Sequence, residues 1–323
     1  MSSSVISSPL PASAGPRSGA PLVLAASALW GTTGTAASYA PAGASALSIG
    51  AATMGVGGLL TLAVAGRSAL AVLRGGPEVL RCALLGALGV VVYPLAFYTS
   101  MAWAGVAVGT VVSLGCAPVF AALLERLLDG TRLTRRWLAA TGCAALGCAA
   151  LVLTGDGGAG GDRTGPGVAL GLVAGAAYAA YAYYGARIIR GGHSSRGSMG
   201  ALFGLGATVL LPVFAATGGA LVGERRGLVV AAYLAVVPMW LAYVLFGAGL
   251  ARVSVSAATT LSLFEPVVAA ALGVVVVGER LGGVAWTGVG LVVVGLLLLT
   301  VRRRVTPSPA GSSGAPRRSR RTG

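Results

Sequence analysis

Long apolar runs constrain this chain more than any other feature of its sequence. A helix needs about 20 apolar residues to cross the hydrocarbon layer of a membrane, whereas a barrel strand alternates polar and apolar residues. The runs in this chain are apolar on all sides and therefore predict an all-α integral membrane protein. We predict ten transmembrane helices, at 20–40, 46–66, 82–102, 106–125, 137–155, 166–186, 198–221, 227–249, 253–277 and 283–301.

Charge is scarce and unevenly placed. Charged residues make up 10% of the chain, compared with about 25% in a typical soluble domain. This deficit indicates that the lipid bilayer is the main partner of the surface. The net charge of +15 comes from arginines that lie in the predicted loops and the tail, which is where membrane topology places them. We therefore expect no nucleic-acid partner.

The arginines also predict an orientation. If the N-terminus lies inside, 19 arginines fall on the inner side and 4 on the outer side. Basic residues near membrane spans favour the cytoplasmic side. We therefore predict a multi-pass protein of the cytoplasmic (inner) membrane with both termini in the cytoplasm. Adding or removing one span would put the later arginine clusters on the wrong side.

The two halves of the sequence are related. Residues 118–147 align without gaps on 266–295, a shift of 148 positions, with ten of thirty residues identical. The same shift places Trp30 opposite Tyr178. Five spans per half is an odd number, so the second half enters the membrane from the opposite side. Inverted repeats of this kind are typical of alternating-access carriers with a site between the halves.

The repeat and the composition together predict four regions. Residues 1–19 are rich in Ser, Pro and Ala and form a predicted disordered tail. Residues 20–155 and 166–301 are the two five-helix repeats. Residues 302–323 form a second predicted disordered tail, which is basic and rich in Pro and Ser. Low hydrophobicity prevents both tails from forming a packed core.

Several motifs resemble one family. Leu29-Trp30-Gly31-Thr32 lies in the first span, Pro118-Val119-Phe120-Ala121-Ala122 in the fourth, and Glu265-Pro266-Val267-Val268-Ala269-Ala270, then Gly278-Glu279-Arg280-Leu281, at the corresponding place of the second half. Over about 20–301 the chain resembles EamA-type ten-span members of the drug/metabolite transporter superfamily. One departure is Asp129-Gly130-Thr131-Arg132-Leu133, where the family often has Gly-Glu-Arg-Leu, so the acidic residue here comes one position before the glycine and not one after it.

The resemblance implies an exporter or carrier of amino acids, metabolites or drugs. It also implies a cavity between the halves, lined by spans 1, 3, 4, 6, 8 and 9. Glu125, at the inner end of the fourth span, is interpreted separately as a charge at the membrane edge. An edge charge can extend toward the headgroups or pair with its neighbour Arg126.

Glu265 is the main candidate for a functional group. It lies near the middle of its span, where an ionisable residue is costly and by default functional. Pro266 follows and removes a backbone donor from the helix. We predict a substrate-binding or proton-linked role for Glu265. The alternative is a protonated carboxyl bonded to a neighbouring Ser or Tyr that holds helices together. Pro118 and Pro266 occupy equivalent places and are predicted helix kinks.

Aromatic residues in the spans predict the walls of a binding pocket. Tyr178 and Tyr181 are three positions apart and share one helix face, and rings of this kind can line a pocket for an amphipathic or aromatic substrate. With Glu265 as the polar group, the predicted site residues along the wall are Trp30, Thr33, Tyr93, Phe97, Tyr178, Tyr181 and Tyr243.

Sequence signals for an enzyme are missing. The chain has no phosphate-binding loop and no metal-binding or nucleophile motif, its single histidine is His193, and its four cysteines lie in apolar runs. We therefore expect no catalytic residues, metal or cofactor. The predicted function is a secondary transporter, an exporter of a small metabolite, amino acid or drug. The alternatives are a channel-like facilitator, a non-transporting membrane scaffold or a membrane enzyme. The oligomeric state stays open, and a monomer is compatible with the sequence.

Overall fold

The apolar runs fold into helices, and no described residue lies in a β-strand. The structure is a computed structural model that describes residues 19–104, 106–153, 163–277 and 282–300. The predicted tails, apart from Gly19, lie outside the described residues, as does the motif 278–281. The prediction of an all-helical membrane protein is confirmed.

The first repeat consists of five main helices and one short one. They are α1 (Ala20–Ala37), α2 (Ala46–Ala65), the short α3 (Arg67–Leu73), α4 (Pro77–Ala104), α5 (Val106–Asp129) and α6 (Arg135–Leu153). Gly66 separates α2 from α3 with a φ of 49°, a conformation that glycine adopts without steric cost. The second span therefore ends one residue earlier than predicted.

The second repeat has more irregular helices. Its elements are α7 (Thr164–Arg190), α8 (Ser195–Thr217), the short α9 (Gly219–Val222), α10 (Arg225–Leu234), α11 (Ala242–Leu250), α12 (Val255–Leu261), α13 (Glu265–Leu272) and α14 (Gly283–Thr300). A π-helical turn at Ala235–Leu241 joins α10 to α11, and a 3-10 turn at Ser262–Phe264 joins α12 to α13. A further π-helical turn follows α13 at Gly273–Val277.

Eight of the ten predicted spans meet the length and hydropathy expected of a membrane-crossing helix within the described residues. The other two, α1 and α6, are helical but fall short. In α1 the hydropathy of the second half is lowered by Trp30 and by the glycines and threonines around it. Eight spans are thus supported individually, and the count of ten stays a prediction.

The two repeats pack against each other in a pairwise pattern. The contact of α4 with α7 has its counterpart in the contact of α11 with α1, and the contact of α5 with α7 has its counterpart in that of α13 with α1. Two further pairs, α2 with α8 and α6 with α14, join equivalent helices. Each of these interfaces therefore either has a counterpart between the equivalent helices or pairs a helix with its own equivalent in the other repeat.

Where α6 packs on α14, residues related by the shift of 148 positions make equivalent close contacts. A Cβ atom placed on Gly147 would lie 2.6 Å from the backbone nitrogen of Val292, and one placed on Gly295 would lie 2.8 Å from the backbone nitrogen of Ala144. Both glycines and both partners are related by the same shift. Glycine allows the two backbones to approach this closely, so the sequence repeat is also a repeat of packing.

Candidate functional site

A cavity lies between the two repeats. Its wall comes from α1, α2, α4, α7, the π-helical turn with α11, and the start of α13. All eight predicted site residues line it. The complete lining is Trp30, Thr33, Gly50, Thr53, Met54, Tyr93, Pro94, Phe97, Tyr98, Tyr178, Tyr181, Pro238, Met239, Tyr243 and Glu265.

The aromatic wall is built from residues one helical turn apart. On α7 the rings of Tyr178 and Tyr181 stack with centroids 5.1 Å apart, and on α4 the rings of Tyr93 and Phe97 stack at 5.5 Å. Tyr93 also contacts Tyr178 at 5.8 Å. Because α4 and α7 belong to different repeats, this contact joins the two walls into one continuous aromatic surface.

Hydrogen bonds hold three of these rings in place. The hydroxyls of Tyr181 and Tyr243 are 2.8 Å apart and share a buried hydrogen bond. The hydroxyl of Tyr178 pairs with the side-chain oxygen of Ser262 at 2.6 Å. These three tyrosine hydroxyls already have protein partners. The rings, rather than the hydroxyls, are therefore what this part of the wall offers to a ligand.

Trp30 stands at the centre of the aromatic cluster. Its ring centroid lies 5.0 Å from that of Tyr243 and 5.2 Å from that of Phe246. Its indole N–H is buried and has no hydrogen-bond partner within the described part of the chain. A buried donor without a partner costs free energy, and the packing around it leaves no access for a ligand atom in this conformation. The next residue, Gly31, lets α1 pack directly on the backbone of Glu265.

Glu265 begins α13, directly after the 3-10 turn and before Pro266. Its side chain is of intermediate exposure because it faces the cavity. It makes no hydrogen bond or ion pair with any residue that the structure describes. No basic residue is among the lining residues described. The predicted structural alternative, a carboxyl bonded to a neighbouring Ser or Tyr, is therefore absent from this conformation.

The two predicted kinks differ. The helix restarts at Glu265 and Pro266 after the 3-10 turn, whereas Pro118 lies inside the uninterrupted helix α5. The equivalent prolines thus occupy different local structures. Pro238, which was not among the predicted site residues, lies in the π-helical turn and lines the cavity.

The second helix contributes to the wall, contrary to the expectation drawn from the resemblance. Gly50, Thr53 and Met54 of α2 line the cavity, and no described side chain of α5 does. The ring of Tyr98 packs directly on Gly50 and leaves no room for a Cβ atom. Small and weakly polar residues such as these carry no sequence signal of a site. Tyr98 had the same aromatic signal as Tyr93 and could have been included.

One end of the bundle is closed by contacts between the repeats. The buried carboxylate of Glu125 accepts hydrogen bonds from the backbone N–H groups of Val255 at 2.7 Å and Ser256 at 3.2 Å. It therefore caps the first turn of α12 from α5. The interpretation of Glu125 as a side chain that extends toward the headgroups or pairs with Arg126 is wrong, because sequence distance hides the free N–H groups that it satisfies.

A second contact lies at the same end, one turn further along α5. The carboxylate of Asp129 forms a 3.0 Å ion pair with Arg190 and accepts a 2.7 Å hydrogen bond from the hydroxyl of Tyr183. Both partners are on α7. We call Glu125, Asp129, Tyr183, Arg190 and the first turn of α12 the end network. It links α5 of the first repeat to two helices of the second.

The described residues contain no cluster of three or more His, Cys, Asp or Glu side chains that could hold a metal ion. The four cysteines are unpaired. The polar groups that converge on the cavity are one carboxylate and several hydroxyls. This set can bind and orient a small molecule.

Comparisons with known proteins agree with this architecture. The EamA-like transporter family matches the chain twice, at residues 17–153 and 165–301. An uncharacterized transporter of Bacillus subtilis (strain 168), YwfM, is 34% identical over 283 residues, which is 87% of this chain and 93% of that protein. A solved crystal structure has a TM-score of 0.74 at 20% identity and covers 88% of this chain and 96% of that one; at this identity it supports the fold alone.

An all-helical, membrane-spanning chain of two related halves around an interfacial cavity is a membrane transporter. The chain belongs to the EamA-like transporter family, because that family matches both halves over most of their length. The resemblance seen in the sequence motifs is confirmed, and so is the two-repeat organisation.

Proposed function

We propose that this protein is a secondary carrier that exports a small molecule by alternating access. It crosses the cytoplasmic membrane ten times, its two five-helix repeats have opposite orientations, and both termini lie in the cytoplasm. The distribution of arginines supports this orientation. Export as the direction of transport follows the resemblance to exporters in the family.

The observation that carries the proposal is a cavity between the repeats whose lining lies away from the end network. Phe203 and Phe246 are fully buried and pack on the lining residue Tyr243, and the end network joins α5 to α7 and α12. The lining residues of α1, α2 and α4 lie in the halves of those helices that point away from the end network. A site that opens toward one side only is what alternating access requires, and a channel-like facilitator would need a continuous path.

Glu265 is the proposed coupling residue, through which protons exchange for substrate. It is the one carboxylate among the described lining residues, and the titratable groups that share the cavity with it are Tyr93, Tyr98, Tyr178, Tyr181 and Tyr243. An unpaired carboxylate at this depth is stabilised by a proton or by a cation. Exchange of a bound proton for a bound cation at Glu265 would couple the movement of protons to the movement of substrate.

The function is tested in two steps. Comparison of intracellular and extracellular metabolites in cells with and without the gene identifies compounds that this protein moves. Flux of such a compound in proteoliposomes should then saturate and show counterflow, whereas conductance events would favour a channel. Proton coupling predicts that Glu265→Gln abolishes the pH dependence of flux, and an unchanged pH profile would disprove this part of the proposal.

Topology has its own test. A membrane-impermeant reagent added outside the cell should reach a cysteine introduced near Gly160 and should not reach one introduced after Val301. Labelling of both positions from outside would contradict ten spans with oppositely oriented repeats. No transported compound needs to be known for this experiment.

A further inference from the structure

The charges around the cavity are one-sided. Glu265 brings a carboxylate, and the described lining contains no Arg, His or Lys side chain to balance it. A ligand that carries one positive charge would supply the missing partner. A ligand with a carboxylate or phosphate would instead leave two like charges in a site of low polarity, which is unfavourable.

The wall provides a second and independent preference for a cation. Trp30, Tyr93, Phe97 and Tyr98 present aromatic rings around the same space as Glu265. The faces of such rings attract ammonium groups within about 6 Å of the centroid. The rings also bury the apolar part of a ligand, because stacked pairs such as Tyr93 and Phe97 form a continuous apolar surface.

The free hydrogen-bond donors of the cavity are neutral. The hydroxyls of Tyr178, Tyr181 and Tyr243 are already paired with protein groups. The hydroxyls of Thr33, Tyr93 and Tyr98 also line the cavity, make no hydrogen bond to a described residue, and are neutral donors. They can serve a carbonyl or hydroxyl oxygen of a ligand, but none of them carries a positive charge that would balance a ligand carboxylate beside Glu265.

We infer that the cavity takes organic monocations, with the ammonium group at Glu265 and an aromatic or apolar body against the rings of α1 and α4. It discriminates against analogues that carry a carboxylate, so amines are preferred over the corresponding amino acids. This inference rests on the proposed function, because it names the substrate class of the carrier's own cavity.

The test is a binding series that keeps one phenyl ring and changes only the charge. Isothermal titration calorimetry on the purified full-length protein in detergent compares 2-phenylethylamine, phenylalanine, 3-phenylpropionate and 2-phenylethanol. Phenyltrimethylammonium is a second cation with no hydrogen to donate. We expect the two cations to bind at least about tenfold more tightly than the zwitterion, the anion and the alcohol, which corresponds to about 1.4 kcal/mol.

Two variants assign the preference to the carboxylate. Glu265→Gln keeps the shape and removes the charge, and it should reduce affinity for 2-phenylethylamine to that for 2-phenylethanol. The matched control is Glu78→Gln, at an exposed position at the start of α4, which should leave affinity unchanged. Thermal unfolding of each variant shows whether that variant is folded. If Glu265→Gln does not fold, the ligand series on the unaltered protein still tests the inference.

The inference is overturned if phenylalanine or 3-phenylpropionate binds as tightly as the amine, if neither cation binds, or if folded Glu265→Gln binds the amine unchanged. These outcomes are separate from those of the carrier proposal. Selective amine binding without flux in proteoliposomes would contradict the carrier and keep the ligand class. Saturable flux of an anion without amine binding would contradict the ligand class and keep the carrier.

Discussion

The rings of Trp30 and Tyr178 meet edge to face with centroids 6.4 Å apart. The two residues are equivalent in the two repeats, since they are 148 positions apart. Equivalent residues can contact each other only close to the axis that relates the halves. Both also line the cavity, so the candidate site lies close to this axis.

Because α6 packs closely on α14, we predict that an added methyl group destabilises the protein at one glycine of α6 and not at another. Gly147→Ala should destabilise the protein by about 1–3 kcal/mol, because the added methyl group overpacks a rigid interface against the backbone of Gly288 and Val292. Gly142→Ala is the matched control on the same helix, since nothing lies within 4 Å of its Cβ position. It should be neutral or stabilising. Thermal unfolding in detergent measures both, and equal effects would contradict the observed packing.

The hydrogen bond between Tyr181 and Tyr243 predicts non-additive effects. Either single Phe substitution leaves the other hydroxyl buried without a partner and should cost about 1–3 kcal/mol of stability. The double substitution removes both hydroxyls and should cost less than the sum of the two single changes. Unfolding midpoints of the four proteins test this cycle. Additive losses would mean that the two hydroxyls do not interact in the folded protein.

At position 93 the aromatic ring should contribute more to cation affinity than the hydroxyl. If the cavity binds organic cations, Tyr93→Phe should keep the affinity for phenyltrimethylammonium within about threefold, because the ring face is retained. Tyr93→Leu should weaken binding by about 0.5–2 kcal/mol, the range of a cation–π contact. Calorimetric titration distinguishes the two. Equal loss in both variants would assign the role to the hydroxyl instead.

The end network predicts that its charges control access from one side. In a protein without native cysteines and with Ser256→Cys, which lies under the Glu125 cap, a water-soluble maleimide should react slowly. Asp129→Arg replaces attraction to Arg190 by repulsion and should raise the labelling rate by about threefold to tenfold, a modest effect because Arg190 is half exposed.

The matched variant for this experiment is the charge exchange. Adding Arg190→Asp to Asp129→Arg restores an attractive pair and should return the labelling rate toward that of the starting protein. A rate that stays high in the double variant would show that the substitution acts through local disruption. An unchanged rate in the single variant would show that this ion pair does not hold the end closed.

Much of the architecture could be predicted from local sequence patterns. Long apolar runs predict helices because lipid leaves no other way to satisfy backbone groups, and the shift of 148 residues predicted equivalences that the structure reproduces at Gly147 and Gly295. The intramembrane acid and the aromatic residues at helical spacing were visible for the same reason. Each signal lies within one helix.

The sequence by itself determined the helices, the repeat and the chemical character of the candidate residues. Only the tertiary structure decided that α2 lines the cavity in place of α5, that Tyr181 pairs with Tyr243, and that Glu125 caps a helix 130 residues away. These features depend on which faces of distant helices meet. Residues such as Gly50 and Thr53 become part of a wall through packing, and no local pattern records that.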